Sequence, residues 1–129
     1  MGFNFPQRTI IYTDGSFAAG RAGIGIHYLH GEHPDRAEPL DPGDIHTAMR
    51  AEMEAAIVAI QSTPGQIGIY TDSQALIDGA EKYFYSSSME FDNIPNGDKW
   101  HRLSLLSRKR DITWTKVPAH GLQNKMWIT

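Results

Sequence analysis

The chain has 129 residues, 40% of them hydrophobic and 21% charged, and it contains no cysteine. This is the composition of one ordinary globular domain over residues 1–129, and it excludes a disulfide framework, a thiolate zinc site and a cysteine nucleophile. No apolar run approaches the roughly 18 residues of a membrane span, and Met1-Gly2-Phe3-Asn4-Phe5-Pro6 lacks the order of a secretory signal, so an intracellular soluble protein is expected. The net charge of −3 conceals an uneven distribution. Residues 28–98 carry three basic and thirteen acidic side chains, whereas residues 99–129 carry seven basic and one acidic. No carboxylate side chain follows Asp111, and a basic end segment of this kind suits either solvent or a polyanion.

Arg8 to Thr13 is β-branched and aromatic and predicts a strand that runs into the turn residues Asp14-Gly15-Ser16. Ala22 to Leu29 alternates Ile24, Ile26 and Tyr28 with glycine and histidine, a second strand, and a short third strand is expected near Arg36–Leu40. From Thr47 to Gln61 the period becomes helical. Met49, Met53, Ala56, Ile57 and Ile60 form one apolar stripe, and Ala48, Glu52, Ala55 and Ala59 form a neighbouring stripe of small residues around one acid. Thr47 is placed to cap this helix and Pro64-Gly65 to end it. Ile67–Thr71 predicts a strand, Asp72-Ser73 a cap, and the following helix runs to about Phe84. A loop through Pro95-Asn96-Gly97 leads to a helix from Asp98 to Lys109, and Ile112–Val117 alternates as a last strand. The order β-β-β-α-β-α-α-β predicts a mixed α/β layer fold, an antiparallel section followed by crossover helices.

Asp14 and Asp72 each stand at the end of an apolar strand. If those strands are parallel neighbours, both carboxylates emerge at the edge where open α/β sheets place their ligands. Small residues beside Glu52 let its helix sit close enough to bring a third carboxylate there. Three carboxylates in one place repel unless a cation neutralises them, and oxygen-only ligation suits Mg²⁺ or Mn²⁺, which points to phosphodiester chemistry. His27, His30 and His33 also invite a zinc reading, but they lie across a strand and a turn, so a solvated hairpin is expected instead.

Taken together, Tyr12-Thr13-Asp14-Gly15-Ser16, Arg21-Ala22-Gly23-Ile24-Gly25, Arg50-Ala51-Glu52, Tyr70-Thr71-Asp72-Ser73-Gln74 and Val117-Pro118-Ala119-His120 occur in this order. In this the chain resembles type 1 ribonuclease H in its cellular form, over nearly its whole length. The resemblance implies a five-stranded mixed sheet flanked by helices, and endonucleolytic hydrolysis of the RNA strand of an RNA–DNA hybrid with two divalent cations, Mg²⁺ or Mn²⁺. It implies that Asp14 is shared by both ions, that Glu52 and Asp72 complete one shell, and that His120 is the loop histidine assisting proton transfer or product release. It places Thr47 and Asn96 in a pocket for a phosphate of the DNA strand, and Gly15, Ser16 and Gln74 at the minor groove. No membrane association follows from it, and a monomer is expected, with a dimer as the alternative.

Three departures qualify these implications. The resemblance implies a fourth Asp about ten residues after His120, at position 130, or at Ile128 when Asn124 is aligned and Lys125 replaces a Glu. The fourth acid and the terminal helix are therefore expected to be absent, with activity impaired or, alternatively, reduced to hybrid binding. Ala48 and Met49 stand where the family commonly carries two amide side chains. Glu81 to Ser88 replaces a lysine- and tryptophan-rich protrusion, so weaker binding with a shallower salt dependence is expected. Tyr83, Phe84 and Tyr85 are expected in the core, with stacking on a nucleotide as the alternative. The apolar Met126-Trp127-Ile128 is read either as a contact with a second copy or as a cover over the sheet.

Overall fold

The computed structural model describes residues 7–84 and 90–118. Five strands form one mixed sheet: β1 (Thr9–Ala18), β2 (Arg21–Tyr28), β3 (Arg36–Pro39), β4 (Ile67–Thr71) and β5 (Ile112–Lys116). The spatial order is β3-β2-β1-β4-β5, antiparallel across β3-β2-β1 and parallel across β1-β4-β5. Helix α1 (Ala48–Ser62) connects β3 to β4, and α2 (Gln74–Tyr83) and α3 (Gly97–Ser107) lie between β4 and β5, with a single 3-10 turn at Phe91–Asn93. The order of strands and α-helices is the one the sequence predicts. Residues 119–129 lie outside the described residues, and with them His120, Met126-Trp127-Ile128 and the expectation that a fourth acid and a terminal helix are absent.

One local expectation is corrected. Asp14-Gly15-Ser16 is not a turn, because β1 runs on to Ala18 and pairs with β2 from Ile11↔Tyr28 to Ala18↔Arg21. The reversal falls instead at Ala19-Gly20, both with positive φ (52° and 77°), as a two-residue hairpin link requires. Continuous cross-strand pairing outweighs the turn preference of three residues.

Helix α1 supplies most of the helical face of the core. Ala51, Met53, Ala55, Ala56, Ala59 and Ile60 are fully buried, against Ile11, Ile26, Ile67 and Ile69 of the sheet. Burial of each isoleucine contributes roughly 1.5–3 kcal/mol. Thr47 Oγ1 accepts the Arg50 amide and Ser73 Oγ accepts the Leu76 amide, so both expected N-caps form. At the far end of α1, Arg110 donates to the carbonyls of Ile60, Thr63 and Gly65, tying the helix end to the chain that follows it. Phe84 is fully buried against Trp114, with ring centroids 5.5 Å apart, and Tyr83 packs on Trp100 at 5.2 Å. Both belong to the core; Tyr85 lies outside the described residues.

Candidate active site

The register Tyr12↔Tyr70 makes β1 and β4 parallel neighbours in step. Asp14 and Asp72 each lie two residues beyond that pair, so both carboxylates come to one edge of the sheet. Glu52 arrives from the second turn of α1, and carboxylate oxygens of Asp14, Glu52 and Asp72 lie within 4.8 Å of one another. Among the described residues, this is the only group of three or more acidic, histidine or cysteine side chains arranged to hold a metal ion.

Gly15 makes that approach possible. A Cβ at this position would overlap the Glu52 backbone nitrogen and lie 2.7 Å from the Ala51 carbonyl carbon. The missing side chain lets α1 rest on β1 directly beneath Asp14. Its place is therefore at the strand–helix contact, half-buried, as well as beside the carboxylates.

Burial and mutual repulsion raise two of the three acids, and positive charge would relieve both effects. Burial is the largest effect on Glu52 and, with the nearby Asp14 charge, pushes its carboxyl up to about 9. Burial likewise raises Asp14; a proton shared from Glu52 moderates the rise, and the Asp72 charge adds to it. Glu52 Oε2 is buried with no hydrogen-bond partner. An orphaned carboxylate oxygen facing two further acids is costly as it stands, and a divalent cation would satisfy it. The donor set is all oxygen, which fits Mg²⁺ or Mn²⁺.

The other expected residues spread around this edge. Ser16 is exposed, its hydroxyl 3.4 Å from the Gly23 carbonyl. Gln74 is exposed at the start of α2, and its Nε2 donates to Asp78 at 2.8 Å, a bond within its own helix. Thr47 caps α1, and Asn96 stands at the N-cap of α3 in a left-handed conformation (φ 58°, ψ 27°). The three histidines form no site: His27 pairs with Asp35 at 2.7 Å, and His33 lies edge-on to Tyr28.

Sequence reasoning did not anticipate an ion network beside Thr47 and Asn96. Arg50, 7% exposed, binds Asp44 and grips both oxygens of Asp98 at 2.9 and 2.7 Å. Lys99, also 7% exposed, reaches the other Asp44 oxygen at 2.7 Å and Glu54 at 2.9 Å. The guanidinium holds Asp98 down to about 2. The local signal was only that Arg50 falls among buried positions of α1; its partners are 6 to 48 residues away and no periodicity links them.

The RNase H family profile matches residues 6–126. A Ribonuclease H of Alcanivorax borkumensis is 32% identical over 126 residues, covering 89% of this chain and 82% of that protein. A Ribonuclease H of Pseudoalteromonas translucida is 35% identical, covering 89% and 80%. Among solved structures, the RNase H1 of Halobacterium salinarum superposes with a TM-score of 0.68 at 21% identity, covering 91% of this chain and 90% of that one. LC11-RNase H1, solved in complex with an RNA/DNA hybrid, gives 0.67 at 19% identity over 88% of each chain. These two likenesses concern the fold; with the profile match and the two relatives, the chain belongs to the RNase H family.

Proposed function

We propose that this protein cleaves the RNA strand of RNA–DNA hybrids endonucleolytically, with divalent cations held by Asp14, Glu52 and Asp72. The observation that carries the reading is the convergence of these acids around the unpartnered Glu52 Oε2, in a chain of this family. Mg²⁺ or Mn²⁺ bound there, two ions in the full arrangement, supplies activation of the attacking water and stabilisation of the leaving 3′ oxygen.

The chain's own residues do the rest. Asp14 is the carboxylate shared by both ions, a reading supported by its nearness to both other acids. Thr47 and Asn96 contact a phosphate of the DNA strand, which sets the register of the hybrid without reading sequence. Gly15, Ser16 and Gln74 line the minor-groove side, where a 2′-hydroxyl distinguishes RNA from DNA. For Gln74 this requires exchange of its bond to Asp78. His120 serves proton transfer or product release. No helix among the described residues is long and apolar enough to cross a membrane.

The test is substrate selectivity. Labelled RNA–DNA hybrid, double-stranded RNA and double-stranded DNA are each incubated with the protein in Mg²⁺ and in Mn²⁺. Cuts within the RNA strand of the hybrid alone are expected. Binding to the hybrid with no cleavage in either metal would make the chain a hybrid-binding module instead. A binding series in salt should show log K falling with log salt along a shallow slope, since few phosphates are neutralised. Glu81 beside Lys82 leaves little net charge on the end of α2 to neutralise more.

A further inference from the structure

Arg50 does two things that converge on the same pair of residues. Its backbone amide donates to Thr47 Oγ1 at 3.1 Å, and its guanidinium Nη1 donates to Asn96 Oδ1 at 3.3 Å. An arginine carries donors only, so both contacts consume acceptors. Each contact occupies one lone pair of its oxygen, and the Thr47 hydroxyl proton and the two Asn96 amide protons are left unused by Arg50. Asn96 also forms no side-chain cap on its own helix, the usual employment of an N-cap asparagine, because its side chain is turned to Arg50. Its left-handed backbone is one that asparagine tolerates better than most residues.

Resting on the hybrid reading above, we propose that Arg50 is a positioning residue for the phosphate contact: its guanidinium fixes the Asn96 side chain, while its backbone amide holds Thr47, without touching the phosphate itself. A direct contact is disfavoured by how fully the guanidinium is used. It is buried, it binds Asp44 through Nε and Nη2, and it forks onto Asp98 through Nη1 and Nη2. Its charge is answered by two carboxylates, and Lys99 holds Asp44 from the other side at 2.7 Å. Such a planar, multiply bonded fork fixes direction in a way a lysine ammonium cannot. Arg50 thus contributes geometry, and the charge it carries is spent within the network.

The experiment is steady-state kinetics on a labelled hybrid with wild type, Arg50→Lys, Asn96→Ala, the double variant, and Lys99→Met. Asn96→Ala tests the phosphate contact: a KM unchanged from wild type overturns that contact and this proposal with it. Given a raised KM there, Arg50→Lys is expected to raise KM about 5- to 10-fold with kcat within about twofold. The double variant is expected to be no worse than about the larger single effect. Lys99→Met, which breaks the Asp44 and Glu54 side of the network, should lower Tm while leaving KM unchanged. If Arg50→Lys does not fold, Asp98→Asn serves in its place, since Asp98 is 67% exposed and holds the fork directly. A raised KM for Asn96→Ala alongside an unchanged KM for Arg50→Lys or Asp98→Asn overturns the positioning role. Additive effects in the double variant overturn it too.

Discussion

Gly15→Ala is expected to destabilise the protein by about 3 kcal/mol or more, lowering Tm by roughly 10 °C in a thermal melt. The reason is that the new methyl meets backbone rather than a side-chain tip: the Glu52 nitrogen, and the Ala51 carbonyl carbon at 2.7 Å. Neither can swing aside, so α1 must lift from β1 along a contact that buries Ala51, Ala55 and Ala59. The same displacement carries Glu52 away from Asp14, so divalent-cation binding should weaken together with stability. A Tm within about 2 °C of wild type would mean that α1 shifts at little cost and that the close packing is not what sets the carboxylate spacing.

Glu52→Gln should move stability and activity in opposite directions. In chelator the wild-type Glu52 carboxyl is raised to about 9 from an ordinary value of 4.5, so the folded state binds its proton more tightly than the unfolded state does. Stability is then greatest below the unfolded value and is lost as pH rises toward the folded one. The glutamine has no proton to lose. Its advantage over wild type should be near zero around pH 4.5 and grow to ~1–2 kcal/mol by pH 8, read from denaturant unfolding of the metal-free proteins. Saturating Mg²⁺ or Mn²⁺ should stabilise wild type and shrink that difference, because a cation takes over the proton's role of neutralising the acids. Hybrid cleavage by the variant should fall by about 10²-fold or more, the loss expected when one carboxylate leaves the proposed metal shell. A stability difference independent of pH would show that the three acids do not share the strain described.

Much of this was legible in the chain because the relevant signals are local. The apolar strand Ile67–Thr71 ending in Asp72, and the capped helix after Thr47, each follow from residues within one element. Placing Asp14 beside Asp72 needed one further assumption, that their strands are parallel neighbours, which β1 and β4 satisfy. The sequence points to a turn at Asp14-Gly15-Ser16 because turn preference is a property of three residues, whereas the β1–β2 pairing that overrides it involves eight partners across a hairpin. The resemblance implies a groove contact for Gly15, and its packing role depends on where α1 lands, which no local pattern states. The Arg50 network was invisible for the same reason: a buried arginine reads from sequence as one more charged residue, until Asp44 and Asp98 arrive from loops and a distant helix.

The proposal that Asp14, Glu52 and Asp72 hold a required cation is tested most directly by hybrid cleavage rate as a function of Mg²⁺ concentration. Wild type and Asp14→Asn are compared from chelator upward. Wild type should be inactive in chelator and rise to saturation, while Asp14→Asn stays at least about 10³-fold lower throughout and retains its fold. Cleavage by wild type in chelator, or an Asp14→Asn curve that overlays wild type, would contradict it.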